Sequence, residues 1–425
     1  MQERGKFPQY CKEKKTPSFS FLTSQFMTSF QQRFQSLDTW LKTHTQLWQF
    51  DTFARLDNPW KHTYPELASV LERENLEIDS EAFYVEVFRV RPDLKAELNF
   101  SKPDLLDQSP QRTLTYDVPS YVSAGIKGRK WAQIQAFVAY TPKANSYVEW
   151  CAGKGHLGKL LAFQDSKPVH SLEWQKTLCE AGEQEAKRLK LPQSFTHADV
   201  LKGEGRPALA NAHCAVALHA CGDLHRELIQ QAIVANTGKL CISPCCYHLT
   251  KDEFYRPLSQ LAQQSQLNLR QADLKLAVKE VATAGAREQR LKQLELTYRL
   301  GFDAWQRTAR QQDDYLPVPS IQKAILNQGF DTFCHWAAEQ KSLTDLIGKT
   351  SFEDFESIGQ TRYQQIQKLE AISQLFRPAL EYWLVLDRAM CLEENGYKVE
   401  IGKFCEKNLT PRNWMIRAER KQKEQ

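Results

Sequence analysis

The spacing of apolar residues divides the chain into a helical part and a part where short strands alternate with helices. Over residues 19–106, large apolar side chains recur near helical spacing, and residues 80–83 have the composition of a capped helix start. Over residues 147–243, short apolar runs alternate with amphipathic segments. This rhythm predicts a parallel sheet with helices on both faces and a ligand site at the carboxyl ends of the strands.

Five parallel strands are predicted in this second part. The first strand ends at residue 148. The other four strands cover residues 169–173, 195–199, 214–219 and 239–243, and helices over 175–189 and 223–234 lie between strands. A helix over residues 131–140 precedes the first strand, and residues 123–130 before it are predicted as a flexible basic loop.

The domain boundaries come from composition and from the points where the strand rhythm stops. Three prolines between residues 101 and 119 predict a linker, which separates a helical N-terminal lobe, 1–118, from a first sheet segment, 119–249. Residues 250–376 are predicted as a helical insertion that roofs the site, with helices over 276–306 and 343–369. A helix over 378–394 and two antiparallel strands, 397–404 and 413–418, complete the sheet domain within residues 377–425.

A glycine turn follows the first strand in the sequence E-W-C-A-G-K-G-H-L-G, residues 149–158. Gly153 and Gly155 let the backbone pass close to a ligand, and the helix behind them offers unpaired N–H groups. A dinucleotide site prefers G-x-G-x-x-G, and Glu149 would repel a pyrophosphate but could hold an ammonium group. An ordinary strand-to-helix turn is the alternative. The pattern E-x-x-A-G-x-G resembles the S-adenosylmethionine (SAM) loop of class I methyltransferases.

Acidic residues at the next two strand ends fit the same cofactor. Glu173 ends the second strand 20 residues after Gly153, where a carboxylate can accept both ribose hydroxyl hydrogens. Asp199 ends the third strand, where it can accept from an adenine amino group, and Trp174 could cover the adenine face. We therefore predict that these side chains bind the cofactor.

The fourth and fifth strands end in two unusual boxes, L-H-A-C-G-D-L at residues 218–224 and S-P-C-C-Y-H at residues 243–248. Adjacent strands of a parallel sheet line one cleft, so both boxes are expected to face the cofactor's reactive methyl group. We assign His219 to the cofactor site. The predicted methyl-transfer site contains Cys221, Asp223, Cys245, Cys246, Tyr247 and His248.

The glycine loop and the two boxes together resemble a family of SAM-dependent methyltransferase domains that includes the methyltransferase-like proteins and the glutathione S-transferase C-terminal-domain-containing protein. More distantly, with C-C-H-H in place of C-C-Y-H, they are similar to the eukaryotic enzymes that methylate a 2′-hydroxyl in the tRNA acceptor stem. The resemblance covers about residues 125–418, including R-P at 377–378, Glu381, L-D-R at 386–388 and T-P-R-N at 410–413. It implies a seven-stranded, Rossmann-like α/β sheet with a helical N-terminal lobe and a helical insertion after the fifth strand.

Methyl transfer from a sulfonium needs a nucleophile about 3 Å from the methyl carbon and often a base for its proton. His248 or His219 could be that base, with Asp223 orienting a histidine. Alternatively, both histidines satisfy backbone groups at strand ends. Tyr247 could stack on a base of the substrate or pack inside the protein.

The cysteines of the two boxes allow three interpretations. Cys245 or Cys246 could attack a pyrimidine, as cysteine does in RNA cytosine-5 methyltransferases. The cysteines and His248 could bind a metal, since thiolate and imidazole suit zinc. We favour the third interpretation, in which they line a pocket without metal, because adjacent cysteines on an extended segment point in different directions.

The resemblance to the tRNA enzymes implies an RNA substrate, with tRNA as a candidate, and the distribution of basic residues agrees with it. The net charge is +5, and residues 275–310 hold eight basic residues against four acidic ones. A phosphate backbone would be attracted to this segment and to the basic loop before the first helix of the sheet domain. The predicted substrate-binding residues are Lys127, Arg129, Lys130, Arg287 and Arg290.

The remaining bulk properties indicate a cytoplasmic protein. Hydrophobic residues make up 42% of the chain and charged residues 25%, as in globular proteins, and no apolar run is long enough to span a membrane. The eleven cysteines show neither a disulfide pattern nor a C-x-x-C pair, which fits reduced thiols. The sequence gives no oligomeric state.

Overall fold

One mixed sheet organises the computed structural model, which describes residues 28–73, 76–78, 80–96, 118–279 and 286–421. Its strands follow the order β3-β2-β1-β4-β5-β7-β6. The strands are β1 Tyr147–Trp150, β2 Val169–Glu173, β3 Gln193–His197, β4 Cys214–Cys221, β5 Lys239–Cys245, β6 Tyr397–Lys403 and β7 Trp414–Arg420.

Strands β1 to β5 are parallel, and β7 is antiparallel to both β5 and β6. The order reverses at β1, so β1 and β4 form the switch point where α/β sheets bind ligands. The central strands β1, β4 and β5 bury residues on both faces, as expected for a sheet covered by helices on both sides. The predicted fold class, an α/β fold with a seven-stranded Rossmann-like sheet, is confirmed.

The predicted strands match the observed ones to within two residues at most ends, with β3 lying two residues earlier than expected. The helices are α1 Ser29–Thr43, α2 Thr45–Trp48, α3 Pro65–Leu71, α4 Glu81–Val90, α5 Asp93–Ala96, α6 Ser120–Ser123, α7 Gly128–Tyr140, α8 His156–Asp165, α9 Lys176–Arg188, α10 Arg206–Ala210, α11 Asp223–Ala235, α12 Gln260–Gln263, α13 Leu274–Val278, α14 Ala286–Arg310, α15 Lys323–Leu326, α16 Phe330–Gln340, α17 Phe355–Gln374 and α18 Arg377–Glu394.

The N-terminal helices share the core of the sheet domain. On α1, the ring of Phe34 lies 4.9 Å from that of Trp383, and Trp40 stacks on Phe376 at 4.6 Å. The indole N–H of Trp383 donates to Asp38 at 3.1 Å. The expected helices are therefore present, but they pack on α18 instead of forming a core of their own. The predicted N-terminal part of this lobe and the linker, residues 1–27 and 97–117, lie outside the described residues.

The insertion has a small aromatic core of its own. Helices α14 and α17 pack along each other, and side chains from α14 and α16, such as Phe302 and Phe333, fill the space beside them. The single helix predicted over 276–306 is instead α13 followed by α14, with residues 280–285 outside the described part. The second predicted helix, 343–369, is displaced towards the C-terminus because Ile347 and Thr350 form an isolated bridge and α17 starts only at Phe355.

Candidate active site

A cleft of about 730 Å³ opens at the carboxyl ends of β1, β2 and β4. Its walls combine the glycine loop, the strand-end acids and the start of the insertion. The lining residues are Cys151, Leu172, Glu173, Trp174, Gln175, Ala198, Asp199, Val200, Leu201, Cys221, Asp223, Leu224, Leu249, Thr250, Lys251 and Gln271. Among the described residues of the insertion, only those in its first part, Thr250, Lys251 and Gln271, line this cleft. The insertion therefore covers the site less than was predicted.

The glycine loop has a left-handed backbone at three alternate positions. Cys151, Gly153 and Gly155 have φ values of 55°, 59° and 69°. The N–H of Gly153 donates to the Glu173 carboxylate at 2.8 Å, which fixes the loop against β2. A Cβ at Gly155 would collide with the rings and amides of Phe195 and Gln193. Gly155 therefore serves close packing, and Gly153 lies nearer the predicted cofactor position.

Glu149 has a different role from the one predicted. Its side chain is buried, accepts a hydrogen bond from Ser171 at 2.7 Å, and accepts from the backbone amides of Leu157 and Gly158 at the start of α8. Burial raises its pKa to about 7, and these hydrogen bonds oppose that shift. The carboxylate thus faces the helix N-terminus and the sheet, and it is not part of the cleft wall where an ammonium group would bind.

The other strand-end acids lie where they were predicted. Glu173 ends β2 in the cleft wall, and its second oxygen accepts from the Gln175 amide at 2.9 Å. Asp199 caps a short 3₁₀ turn after β3 and accepts from the Leu201 amide at 3.1 Å. Trp174 is 66% exposed beside them, although large aromatic side chains are usually buried. An exposed ring next to two carboxylates fits the predicted contact with an adenine.

The first box distorts the end of β4. The register with β5 shifts between Leu218 and Cys221, and His219 has a φ of 68°. The imidazole Nε2 of His219 lies 3.1 Å from Oε1 of Gln133 on α7. An amide oxygen only accepts, so Nε2 carries the proton and Nδ1 is left as an acceptor. The pKa of His219 is lowered, first by desolvation and then by the positive charges of Lys130 and Arg412.

The Asp223 side chain hydrogen-bonds to the backbone and contacts no histidine among the described residues. Its carboxylate accepts from the Lys251 amide at 2.9 Å and lies 3.7 Å from the Arg226 guanidinium. Its own amide donates to the Leu249 carbonyl at 3.0 Å. The structure shows, in place of the expected histidine contact, that Asp223 links the first box to the segment that directly follows the second box at the cleft wall.

The three cysteines of the two boxes meet at one point. Cys221 and Cys245 are paired across β4 and β5, with their sulfur atoms 3.5 Å apart. The Sγ atoms of Cys221, Cys245 and Cys246 all lie within 4.8 Å of one another. The expectation that adjacent cysteines diverge is wrong, because Cys246 has a φ of 49° and leaves the extended backbone on which alternation depends.

Tyr247 lies on the opposite side of this turn from the cleft. It is 2% exposed, packs edge-on against the His225 ring, and has the Arg388 guanidinium 4.9 Å above its own ring. Of its two predicted roles, stacking on a substrate is thus excluded by burial, and internal packing is what the structure shows. His248 is half-buried, and its Nδ1 atom is buried without a hydrogen-bond partner among the described residues.

The predicted substrate-binding residues divide into two groups. Lys127, Arg129 and Lys130 are exposed at the start of α7, which begins at Gly128, so the expected basic loop is partly helical. Arg129 donates to the Leu409 carbonyl at 2.8 Å and is thereby used in packing. Arg287 and Arg290 are exposed in the first turns of α14 and form no ion pair with an acidic side chain in the described ranges.

Sequence reasoning missed several residues around the site. Arg412 donates to the Val278 carbonyl at 2.9 Å, and its charge reaches Cys221 and Cys246. In the sequence, only the position of Arg412 in the T-P-R-N motif indicated that it could be important. Lys251 and Gln271 line the cleft, and nothing in their local sequence marks them.

A buried polar cluster supports both boxes from behind. The Arg388 guanidinium donates to His225 Nε2 at 2.8 Å and to the Tyr255 hydroxyl at 3.1 Å. Tyr255 in turn donates to Asp387 at 2.5 Å. His225 follows the first box directly, and its Nδ1 bonds the Ala220 carbonyl at 2.9 Å. The L-D-R motif of α18 therefore positions the strand-end boxes and stays out of the cleft.

Comparison with known proteins agrees with this geometry. Residues 129–253, which contain the cleft-forming strands and both boxes, match the family model described as "Methyltransferase domain". This segment is a methyltransferase domain. Together with the strand order, the match makes the chain a SAM-dependent methyltransferase with S-adenosylmethionine as its cofactor. Glu173 and Asp199 are the residues of the cleft whose chemistry fits the cofactor's ribose and adenine.

Comparisons with solved structures and with curated proteins add less information about this chain. The crystal structure of coclaurine N-methyltransferase bound to N-methylheliamine and SAH is 12% identical to this methyltransferase and covers 93% of it and 96% of the other chain. The TM-score is 0.24, so this similarity does not bear on the fold. No curated protein matches the chain significantly. In the part of the chain that the structure describes, there is no helix with the length and apolar character needed to cross a membrane.

Proposed function

We propose that this methyltransferase transfers the SAM methyl group to RNA, with tRNA as the favoured substrate. The observation that carries the proposal is the convergence of Lys130 and Arg412 on the first box. Gln133 of α7 lies 3.1 Å from the His219 imidazole and donates to the Leu409 carbonyl at 3.0 Å, so α7 and the segment that precedes Arg412 meet beside the first box. The positive charges of Lys130 and Arg412 accordingly both lower the pKa of His219. Neither forms an ion pair with an acidic side chain in the described ranges, so both are available to a phosphate group.

The insertion adds less positive charge than its composition suggests. Arg299 pairs with Glu295 at 2.8 Å, and Arg307 pairs with Asp303 at 3.0 Å. Such pairs are neutral and bind phosphate weakly. The part of α14 that supports the proposal is therefore its exposed first turns, where Arg287 and Arg290 lie.

The finer family assignment is part of this proposal. The H-A-C-G-D-L and C-C-Y-H boxes support membership of the C-C-Y-H-box methyltransferases, and the related C-C-H-H box of the tRNA 2′-O-methyltransferases supports a tRNA acceptor. A cytoplasmic location, with access to tRNA and a reducing environment for the cysteines, belongs to the same proposal.

Within this proposal, His219 is the base that accepts the proton of the attacking group. Its Nδ1 is the free acceptor, and its lowered pKa keeps the imidazole neutral near pH 7. Replacing His219 by Asn is expected to lower kcat about 100-fold or more, a typical loss for a general base, with SAM affinity retained. Unchanged kcat would remove His219 from the reaction.

The first experiment combines the purified protein with tritium-labelled SAM and total RNA from cells that lack this gene. The RNA is then digested with nuclease, and the nucleosides are separated by chromatography. Label in one nucleoside is expected, and its identity distinguishes ribose from base methylation. Bound SAM without labelled RNA would contradict the proposal and favour a protein or small-molecule acceptor, while SAM bound without transfer to any acceptor would indicate a non-catalytic role.

Charge-reversal variants test whether the cations act as proposed. Lys130→Glu and Arg412→Glu are expected to weaken RNA binding. The slope of log K for RNA binding against the logarithm of the salt concentration should become shallower by about one for each lost phosphate contact. The control is Lys61→Glu, whose ammonium is exposed and pairs with Glu72 in the N-terminal helices. Equal RNA binding by all three variants would show that the cleft mouth does not contact phosphate.

A further inference from the structure

We propose that Cys221, Cys245 and Cys246 together bind one thiophilic divalent metal ion, for which zinc is the best chemical match. The site lies between the ends of β4 and β5, where Cys221 also lines the cofactor cleft. This inference concerns the three sulfur atoms alone and does not depend on the nature of the methyl acceptor.

The spacing of the sulfur atoms suits tetrahedral coordination. A Zn–S bond is about 2.3 Å long, so two sulfur ligands of a tetrahedral zinc lie roughly 3.8 Å apart. Cys221 and Cys245 are already at 3.5 Å, and all three sulfurs lie within 4.8 Å of one another. Small side-chain rotations would bring them to the ideal distances, without movement of the strands.

The backbone holds the three thiols in place before any metal binds. Cys221 and Cys245 are register partners, and the Gly222 amide donates to the Cys245 carbonyl at 3.0 Å. The left-handed conformation of Cys246 directs its side chain to the same side as that of Cys245. A non-glycine residue in this conformation is uncommon and is often found at functional sites.

A neighbouring guanidinium would balance the charge of a bound metal. Zinc binds cysteine as the thiolate, so its binding would displace the thiol protons to solvent. A zinc ion with three thiolates carries a single negative charge, and Arg412, which donates to the Val278 carbonyl at 2.9 Å, would offset that charge.

The three sulfur atoms leave one tetrahedral position for water or a further side chain. His248 follows Cys246 by two residues, but its ring nitrogens lie outside the group of ligand atoms that are within 4.8 Å of one another. Its Nδ1 atom is buried and lacks a hydrogen-bond partner among the described residues, and such atoms are rare in folded proteins. A rotation of this side chain would be needed for His248 to become the fourth ligand. Bound to the three sulfur atoms, the metal would link the two boxes and fix the cleft wall at Cys221.

Metal analysis of the full-length protein tests this inference directly. Protein purified under reducing conditions and without chelator is expected to contain about one zinc per chain. After zinc removal, added Co²⁺ is expected to give thiolate-to-metal charge-transfer bands and the visible bands of tetrahedral cobalt. Cys246→Ser and Cys221→Ser are expected to lower zinc affinity by more than about 100-fold, because changes outside the ligand set alone cost 10- to 100-fold.

Matched controls separate a metal site from loss of structure. Cys405→Ser changes a half-buried cysteine outside the cluster and is expected to keep full zinc content. Circular dichroism and SAM binding check the fold of each variant. His248→Ala is expected to alter the cobalt spectrum, and an unaltered spectrum would exclude His248 as a ligand.

Two results would overturn the metal site. In the first, no metal is taken up and the three thiols react with Ellman's reagent as freely as Cys405. In the second, intact-protein mass spectrometry shows the loss of two hydrogens, which would indicate a Cys221–Cys245 disulfide instead. The metal and methyltransferase tests are independent, because metal content is measured without SAM or RNA.

Discussion

The backbone N–H of Gly153 donates to the carboxylate of Glu173 at 2.8 Å, so the side chain that is predicted to bind the ribose also fixes the glycine loop to the end of β2. The second carboxylate oxygen accepts from the Gln175 amide at 2.9 Å. Both oxygens keep lone pairs for ribose hydroxyls. Glu173 therefore positions the loop and remains free to bind the cofactor as predicted.

Glu173→Ala is expected to weaken SAM binding by about 10- to 100-fold, since a hydrogen bond to a charged group contributes roughly 1.5–3 kcal/mol. Isothermal titration calorimetry measures the change. The control is Glu180→Ala, on the exposed side of α9, where the side chain is 57% exposed. SAM affinity equal to that of the unmodified protein would remove Glu173 from the cofactor site.

Gly222→Ala is expected to disrupt the turn between β4 and α11. Gly222 has a φ of 59°, and a Cβ there would overlap the carbonyl of Leu249, which directly follows the second box. Gly203 is the matched control, because it has a φ of 83° but open space around the Cβ position. Gly203→Ala should cost about 1 kcal/mol from backbone strain, whereas Gly222→Ala should cost clearly more. Equal losses in urea unfolding would contradict the overlap.

Stability is expected to fall as pH rises from about 4.5 to about 7, because of Glu149. Burial raises its pKa from 4.5 to about 7, so the folded chain binds the proton more tightly than the unfolded chain. Below this range the carboxyl is neutral in both states, and above it the carboxyl is ionised in both. The difference in the free energy of unfolding is on the order of 3 kcal/mol.

Glu149→Gln tests this dependence, because an amide does not titrate. Urea unfolding of the variant should lack the decrease in stability that Glu149 causes between about pH 5 and about pH 7. Glu180→Gln, an exposed change, should retain it. The assignment is contradicted if both variants follow the pH profile of the unmodified protein.

Arg388→Leu is expected to destabilise the chain by about 2–5 kcal/mol, because it leaves His225 and Tyr255 with buried, unsatisfied groups. Arg256→Leu is the control, with a side chain that is 74% exposed and pairs with Asp252. That change should alter the free energy of unfolding by less than about 0.5 kcal/mol. Similar unfolding midpoints for the two variants would show that the buried cluster contributes little.

Tyr247→Phe is expected to keep methyl transfer nearly unchanged. The hydroxyl makes only a long contact, 3.5 Å, with the Pro244 carbonyl among the described residues, and the ring is buried against His225 and Arg388. Tyr247→Ala should instead lower stability by about 3–5 kcal/mol, as for other large buried rings. A large loss of kcat in Tyr247→Phe, with the fold intact, would restore a catalytic role.

The sequence by itself determined the sheet and the cofactor, and it showed which acidic residues end the strands that line the cleft. Apolar runs of strand length, glycines at one turn, and acids at the ends of β2 and β3 are local patterns, and each has a direct physical reason. Glu173 and Asp199 could be placed in one cleft because the carboxyl ends of neighbouring parallel strands necessarily meet at one edge. The type and position of most helices followed from the same periodicity.

Tertiary structure decided what each residue of the two boxes contacts. Strand alternation would separate the side chains of Cys245 and Cys246, but a single left-handed residue reverses that separation. Burial of Glu149 and Tyr247, and the convergence of Lys130 with Arg412, depend on contacts between segments far apart in the chain. Local sequence sets the backbone preference of each segment. Long-range packing determines which side chains come into contact, because the packing free energy depends on all the segments that form the core.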